Sequence, residues 1–249
     1  MTNGTPPGGD APRPPEPPAP LKRFYKTATI GPLVGGGATV LLDGRPIRTP
    51  ARAQLVAPAP VAEAMAAEWN AQEVHILPLT MPLTRLANTA IDGVASNMEP
   101  VREEIVAIGS NDLVFYRADA PAGLVERQQA LWDPLVSHME TRLDVPVEVT
   151  AGIMPIYQSP AFSERLRALL PAEPLPLAAL HQLTTLTGSA LIALAVAEGV
   201  QSLDAGWDAA HVDEDWNIKE WGEDAEAAER RAMRRRDAEA AAFILREML

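Results

Sequence analysis

The chain has 249 residues and a formal net charge of −12 at pH 7, because 33 acidic residues outnumber 21 basic ones. This length exceeds the commonest domain size, so two domains, or one domain with an appendage, are expected. Binding to nucleic acid is disfavoured, since a phosphate backbone would on average be repelled. The absence of cysteine excludes disulfides, thiolate metal ligands and thiol nucleophiles.

The first twenty residues form a proline-rich tail. Residues 1–20 hold eight of the 24 prolines and almost nothing that could be buried. We therefore expect a disordered or polyproline-like tail that has no part in function. The chain shows neither a secretory signal nor a transit-peptide pattern, and no stretch approaches the ~18 apolar residues of a membrane span. These features predict a soluble protein of the cytosol.

Strand patterns dominate the chain after the tail. Apolar runs bounded by glycine or proline predict short strands at residues 24–30, 38–42, 45–49 and 55–57. Asp43-Gly44 is a preferred corner for a type I′ hairpin. The glycines at positions 35–37 are interpreted as a hairpin loop, because no Gly-Lys-Ser or Gly-Lys-Thr follows them to bind phosphate. Apolar residues at helical spacing then predict helices at residues 60–72 and 82–91.

From Glu99 onward the pattern is almost wholly helical. Helices are predicted at residues 101–108, 124–143, 160–170, 176–198, 203–221 and 224–248, with one short strand at 147–150. This periodicity places Gly188 and Ser189 in the middle of a helix. Strands first and helices afterwards predict an α+β fold, with an N-terminal β-rich domain and packed helix at residues 21–98 and a mostly helical C-terminal domain at residues 99–249.

The most informative segment of the chain interleaves acids with two tryptophans, at residues 213–224. Carboxylates are costly to bury unpaired and indoles gain by burial, so the indoles can pack while the acids face a cationic partner or water. This pattern suits protein binding better than catalysis. The candidate partner-binding residues are Glu214, Trp216, Glu220, Trp221, Glu223 and Asp224. The alternative is a solvated helix with internal ion pairs, in which the arginines at positions 230, 231 and 234–236 pair back onto Glu226 and Glu229.

Candidate catalytic groups are sparse. No nucleophile, base and orienting group assemble in the sequence, so neither an enzyme, a metal nor a cofactor is expected. The alternative is a small hydrolase or metal-assisted enzyme with an acidic site around His211, Asp213 and Asp215. Trp69 and Trp132 are interpreted as structural core residues, since tryptophans at helical spacing are usually buried. A scaffold that joins proteins through the tail and the charged C-terminal helix is a third possibility.

An ordered set of motifs resembles the ATP12 family and spans nearly the whole chain after the tail. The motifs are Lys22-Arg23-Phe24-Tyr25-Lys26, Leu42-Asp43-Gly44-Arg45 with Thr49-Pro50, Glu68-Trp69-Asn70-Ala71-Gln72, Met81-Pro82-Leu83-Thr84 with Ala87-Asn88-Thr89-Ala90-Ile91-Asp92, Trp132-Asp133-Pro134, Thr187-Gly188-Ser189, and Asp213-Glu214 with Trp221-Gly222.

The resemblance implies a chaperone for assembly of the F1 sector of ATP synthase. Such a chaperone binds the unassembled α subunit and holds it until it joins the β subunit. The resemblance also implies a β-containing N-terminal domain and a helical C-terminal domain, and we expect a monomer. Eukaryotic relatives act in the mitochondrial matrix, but this chain lacks a plausible transit peptide, so a homologue of the bacterial cytoplasm is expected.

Overall fold

The computed structural model describes residues 21–34, 36–152 and 154–249. The predicted tail at residues 1–20 lies outside them. Strands come first and helices follow, which confirms the α+β fold class. Within these described residues, no helix is both long enough and apolar enough to pass through a membrane.

The N-terminal sheet consists of three antiparallel strands, β1 (Ala28–Pro32), β2 (Ala38–Leu42) and β3 (Arg45–Pro46), in the order β1-β2-β3. β1 and β2 pair from Ala28 opposite Leu42 to Pro32 opposite Ala38, so Gly36 and Gly37 belong to a hairpin loop, as predicted. Gly35 lies outside the described residues. Asp43 and Gly44 have φ values of 48° and 81°, so both adopt the positive φ that a type I′ corner requires. The predicted hairpin corner is confirmed.

Four of the predicted strands are shorter in the structure. Those predicted at residues 45–49 and 147–150 are observed only as Arg45–Pro46 and Thr150–Ala151. The first strand begins at Ala28, and before it the chain forms only an isolated bridge, between Lys22 and His75. The strand predicted at residues 55–57 reduces to a bridge between Ala57 and Ala38. Both segments have apolar side chains and therefore look like strands, but neither forms an extended ladder of backbone hydrogen bonds.

Ten α-helices are present in the described part of the chain, with a short parallel pair of strands among them. The helices are α1 (Ala59–Asn70), α2 (Pro82–Asp92), α3 (Met98–Ser110), α4 (Ala122–Leu143), α5 (Pro160–Ala168), α6 (Pro174–Thr187), α7 (Ala190–Ala197), α8 (Leu203–Ala210), α9 (Val212–Trp221) and α10 (Ala225–Met248). The strands β4 (Tyr116–Arg117) and β5 (Thr150–Ala151) pair with each other.

The prediction of one continuous helix over residues 176–198 was wrong. One helix ends at Thr187 and the next begins at Ala190, with Gly188 and Ser189 between them. Gly188 has a φ of 67° and ends α6 in the left-handed conformation, which glycine adopts without a steric penalty. Ser189 then begins α7, and its Oγ accepts a hydrogen bond of 2.9 Å from the backbone N–H of Ile192. Both residues are therefore a helix end and a helix cap, not the middle of one helix.

The helix predicted over residues 203–221 is also two helices. It breaks at His211, where φ is −114° and the backbone N–H donates to the carbonyl of Trp207. α8 ends there, and α9 begins at Val212. Apolar periodicity continues across this break, so the sequence pattern does not reveal it.

One hydrophobic core connects β1, β2 and all ten of the described helices. α1 packs on β1 and β2, and α2 packs on α6 and α10 in the second half of the chain. Glu68 of α1 holds the first turn of α2, since its carboxylate accepts the backbone N–H groups of Leu83 and Thr84 at 2.7 and 2.8 Å. The domain boundary between residues 98 and 99 stays a prediction.

Candidate functional site

Helix α9 carries the acid and tryptophan segment, and it is anchored on α4. The indole of Trp216 is half-buried against Gly123 in the first turn of α4. Further along α4, Trp132 is only 1% exposed, and its indole N–H donates to the carbonyl of Ala209 at 2.8 Å. Trp132 thus lies in the core and fixes the end of α8 just before α9 begins.

Two acids of α9 have partners on neighbouring helices, although Asp213 itself is exposed. Asp213 Oδ1 accepts a hydrogen bond of 2.7 Å from the side-chain amide of Gln128. Asp215 Oδ1 lies 2.6 Å from Arg231 Nη2 of α10, and its other oxygen lies 3.9 Å from Arg127. These contacts hold α9 between α4 and α10, and Asp215 is paired with arginine at both of its oxygens.

The predicted pairing within the basic helix holds only in part. Arg230 pairs with Glu226 one turn earlier in α10, at 2.5 Å. Arg231 instead reaches Asp215 on α9, and Arg235 pairs with Asp204 of α8 and with Glu239. The arginines of α10 therefore connect three helices, and they leave the acids at the end of α9 without these partners.

The acids and the tryptophan at the end of α9 face solvent. We name the four residues Glu220, Trp221, Glu223 and Asp224 the acidic tip. All four are exposed, and 87% of the surface of Trp221 is accessible. Gly222 has a φ of 88°, which ends α9 and turns the chain toward α10. An indole exposed to this degree does not belong to the hydrophobic core.

Asp224 is exposed, but it also stabilises the start of α10. Its carboxylate accepts the backbone N–H of Ala227 at 2.9 Å and so caps the N-terminus of α10. Glu220 and Glu223 make no comparable bond among the described residues. The tip therefore contains two acids that are not used by the fold and one that is.

A cleft of about 480 Å³ lies between the end of α9 and the start of α10. Its walls include Glu214, Ile218, Trp221 and Asp224, and Arg231 of α10 also lines it. Glu214 and Trp216, the two remaining predicted binding residues, are both only half-buried. The cleft can accept an apolar side chain with a neighbouring positive charge, because apolar and acidic groups line it together.

The residues of the enzymatic alternative do not form a comparable site. His211 is only 5% exposed, its Nδ1 lies 2.9 Å from the carbonyl oxygen of Trp207, and burial lowers its pKa. Asp213 and Asp215 are held by Gln128 and Arg231. Over residues 21–34, 36–152 and 154–249, no three His, Cys, Asp or Glu side chains are close enough to hold a metal ion.

Trp69 lies at the edge of the core rather than inside it. Its ring packs edge-on against Tyr25 at 5.6 Å, and its carbonyl accepts the Tyr25 hydroxyl at 2.6 Å, but the side chain is only partly buried. It also lines a groove of the N-terminal sheet.

The sequence did not predict this groove. It also did not predict that Gly123, Gln128 and Arg231 contact α9, since no local pattern connects these residues to that helix.

Comparison with known proteins agrees with this architecture. The sequence matches the family model described as ATP12 chaperone protein over residues 22–140. The Atu1473 protein of Agrobacterium tumefaciens has a similar structure, with a TM-score of 0.87 and 44% identity over 92% of this chain and 86% of that chain. Atp12 from Paracoccus denitrificans is similar with a TM-score of 0.83 and 37% identity, over 90% of this chain and 97% of that chain. The resemblance found in the sequence motifs is confirmed, and the chain belongs to the ATP12 chaperone protein family.

Proposed function

We propose that this protein is an assembly chaperone for the F1 sector of ATP synthase, which holds the unassembled α subunit until it joins the β subunit. Membership in the ATP12 family supports the chaperone role, and the acidic tip supports binding to a protein. An unassembled subunit exposes surface that belongs in an interface, and such surface aggregates until it is covered. We further propose that the chaperone acts as a monomer in the bacterial cytoplasm.

The exposed indole of Trp221 is the observation that carries this proposal. Tryptophan gains more by burial in an interface than most side chains, and hot spots of binding are rich in it. The neighbouring acids Glu220 and Glu223 would orient the client and accelerate encounter with basic groups on its surface. The cleft beside Trp221 would receive an apolar side chain of the client next to such a basic group.

Release needs no nucleotide in this mechanism. The α subunit would leave the chaperone when the β subunit competes for it, provided that the final α/β interface is tighter. Binding through a small exposed patch suits this exchange, because a few contacts can be lost one after another.

Aggregation of the isolated α subunit tests the proposal. The subunit is diluted from denaturant with and without this protein, and light scattering is recorded before and after the β subunit is added. We expect suppressed scattering and a soluble complex of this protein with the α subunit. Added β subunit should then take up the α subunit and form an α/β assembly. Scattering that is the same with and without the protein would contradict the proposal.

The enzymatic alternative has its own test. Titration calorimetry with divalent metals should give no stoichiometric binding, because His211 is buried and the two acids beside it are already paired. Tight binding that is lost in Asp213→Asn would instead favour a metal-assisted enzyme.

A further inference from the structure

A second surface with the opposite charge lies on the N-terminal sheet. A groove of about 450 Å³ runs beside β3, and we name it the aromatic groove. Tyr25, Leu42 and Ile47 form an apolar floor and are nearly inaccessible, whereas Phe24 at the rim is 66% exposed. Trp69 completes the aromatic lining.

The charged groups of the aromatic groove are mostly basic. Arg45 and Arg48 line it and are exposed, and Asp43 is its single acid. Both oxygens of Asp43 accept backbone N–H groups, from Lys26 at 3.1 Å and Thr27 at 3.0 Å. These bonds lower the pKa of Asp43, and they engage both carboxylate oxygens with the backbone of residues 26 and 27. With two guanidinium groups against one carboxylate, the net charge of the groove lining is positive.

The surrounding segment has the same sign. Residues 21–57 contain six basic residues and one acid, a net charge of +5 in a chain of −12. The basic residues are Lys22, Arg23, Lys26, Arg45, Arg48 and Arg52. Among the described residues, none of them is part of the salt bridges, all of which lie between residues 85 and 247.

Apolar side chains extend this surface past the rim of the groove. The exposed members are Phe24 at 66%, Val74 at 67%, Leu77 at 47% and Leu79 at 71%. Residues 21–23 and 74–76 are tied together by hydrogen bonds from Arg23 N to Val74 O and from Ile76 N to Leu21 O. Several large apolar residues exposed on two adjoining segments are more than the scattered exposure that soluble proteins show.

We propose that the aromatic groove docks an acidic segment of the client polypeptide, with an apolar side chain of that segment seated on Tyr25 and Trp69. The inference rests on the proposed chaperone function and adds a second contact to the acidic tip. Arg45 and Arg48 pair with the acids of the segment, and Phe24 covers its apolar side chain. The client is thus held by two patches of opposite sign, which fix its orientation, because a reversed client would place like charges together.

The rest of the chain favours a protein as the occupant. A net charge of −12 repels nucleic acid and anionic membranes at long range, whereas a protein client has charges of both signs and can align with both patches. The groove is also concave and holds about one large side chain, which suits a polypeptide better than a flat bilayer.

A labelled random copolymer of glutamate and tyrosine is a suitable probe for the groove. Fluorescence anisotropy is measured with the full chain and with the variant Arg45→Glu/Arg48→Glu. We expect binding by the full chain and affinity weaker by about tenfold or more in this variant, since attraction becomes repulsion. Phe24→Ser should weaken binding without a change of charge. A copolymer of lysine and tyrosine should not bind the groove.

Matched controls separate the groove from general electrostatics. Arg165→Glu/Arg236→Glu changes the net charge equally at two exposed helical positions, and it should leave copolymer affinity unchanged. Equal losses in both double variants, or no binding by the full chain, would overturn the inference. So would tighter binding of polyuridylate, or of vesicles containing phosphatidylserine, through Arg45 and Arg48. Melting curves of each variant verify that it is folded.

Client protection distinguishes this inference from the proposed function. If the full chain binds the copolymer through the groove but does not protect the α subunit, the proposed function fails and the groove stands. If the Arg45→Glu/Arg48→Glu variant protects the α subunit as well as the full chain does, the groove is not a client contact and the inference fails alone.

Discussion

The indole of Trp216 lies so close to Gly123 that a Cβ atom at position 123 would be 2.8 Å from Trp216 Cη2. The first turn of α4 thus accommodates α9 only because residue 123 has no side chain. The direction of α9 determines where the acidic tip points. This packing contact therefore connects the α4 helix to the proposed client surface.

Replacing this glycine tests the connection. Gly123→Ala should lower the free energy of unfolding by ~1–3 kcal/mol through overpacking, although alanine favours a helix by about 1 kcal/mol. Urea unfolding followed by tryptophan fluorescence measures the change. In a Trp216→Ala background the collision is gone, so Gly123→Ala should there be neutral or stabilising. Equal effects in both backgrounds would contradict the contact.

Removing the exposed indole should separate binding from stability. Trp221→Ala is expected to change the free energy of unfolding by less than about 0.5 kcal/mol, because the side chain is 87% exposed. Capture of the α subunit should weaken by ~2 kcal/mol or more if Trp221 is an anchor. Trp132→Ala is the matched control and should cost ~3–5 kcal/mol of stability, since its side chain is buried. Unchanged capture by Trp221→Ala would remove the tip from the interface.

Charge reversal at the tip is best placed on the acids that the fold does not use. Glu220→Lys/Glu223→Lys should weaken client capture and flatten its dependence on ionic strength, because the attraction is between exposed charges. Asp224 is left intact, since it caps α10. Glu63→Lys/Glu164→Lys makes the same change of net charge at other exposed positions and should have little effect. Capture by the tip variant that matches the wild type at every salt concentration would exclude acidic docking.

A buried carboxyl group predicts an unusual dependence of stability on pH. Asp112 is completely buried, and burial raises its pKa to about 7 from 3.8, although it accepts the backbone N–H of Leu191 at 3.1 Å. The folded state therefore binds this proton more tightly than the unfolded state does. Its contribution to stability is full below about pH 4 and is lost as pH rises toward 7.

Asp112→Asn removes this titration while it keeps an acceptor for the N–H groups. The stability of this variant minus that of the wild type should rise between about pH 4 and pH 7 and stay level above it. Urea unfolding of both proteins across this range gives the difference directly. A difference that is constant with pH would show that the buried carboxyl group stays ionised.

Local sequence patterns were sufficient where local chemistry controls the structure. The corner at Asp43-Gly44 was predictable because few residues other than glycine, asparagine and aspartate adopt positive φ without strain. The break at Gly188 was not predicted, because apolar side chains continue at helical spacing on both sides of it. A glycine inside a periodic pattern is compatible with a helix or with a helix end, and only the packing of α6 and α7 selects between them.

The sequence by itself determined the family, the α+β class and the segment in which acids and tryptophans are interleaved. Only the tertiary structure decided which of those side chains face solvent. Trp216 packs against Gly123, nearly 100 residues earlier in the chain, while Trp221, five residues later, is 87% exposed. Asp215 is paired with Arg231 of another helix, and Glu220 is exposed. Burial and pairing depend on contacts between distant residues, and local periodicity contains no information about them.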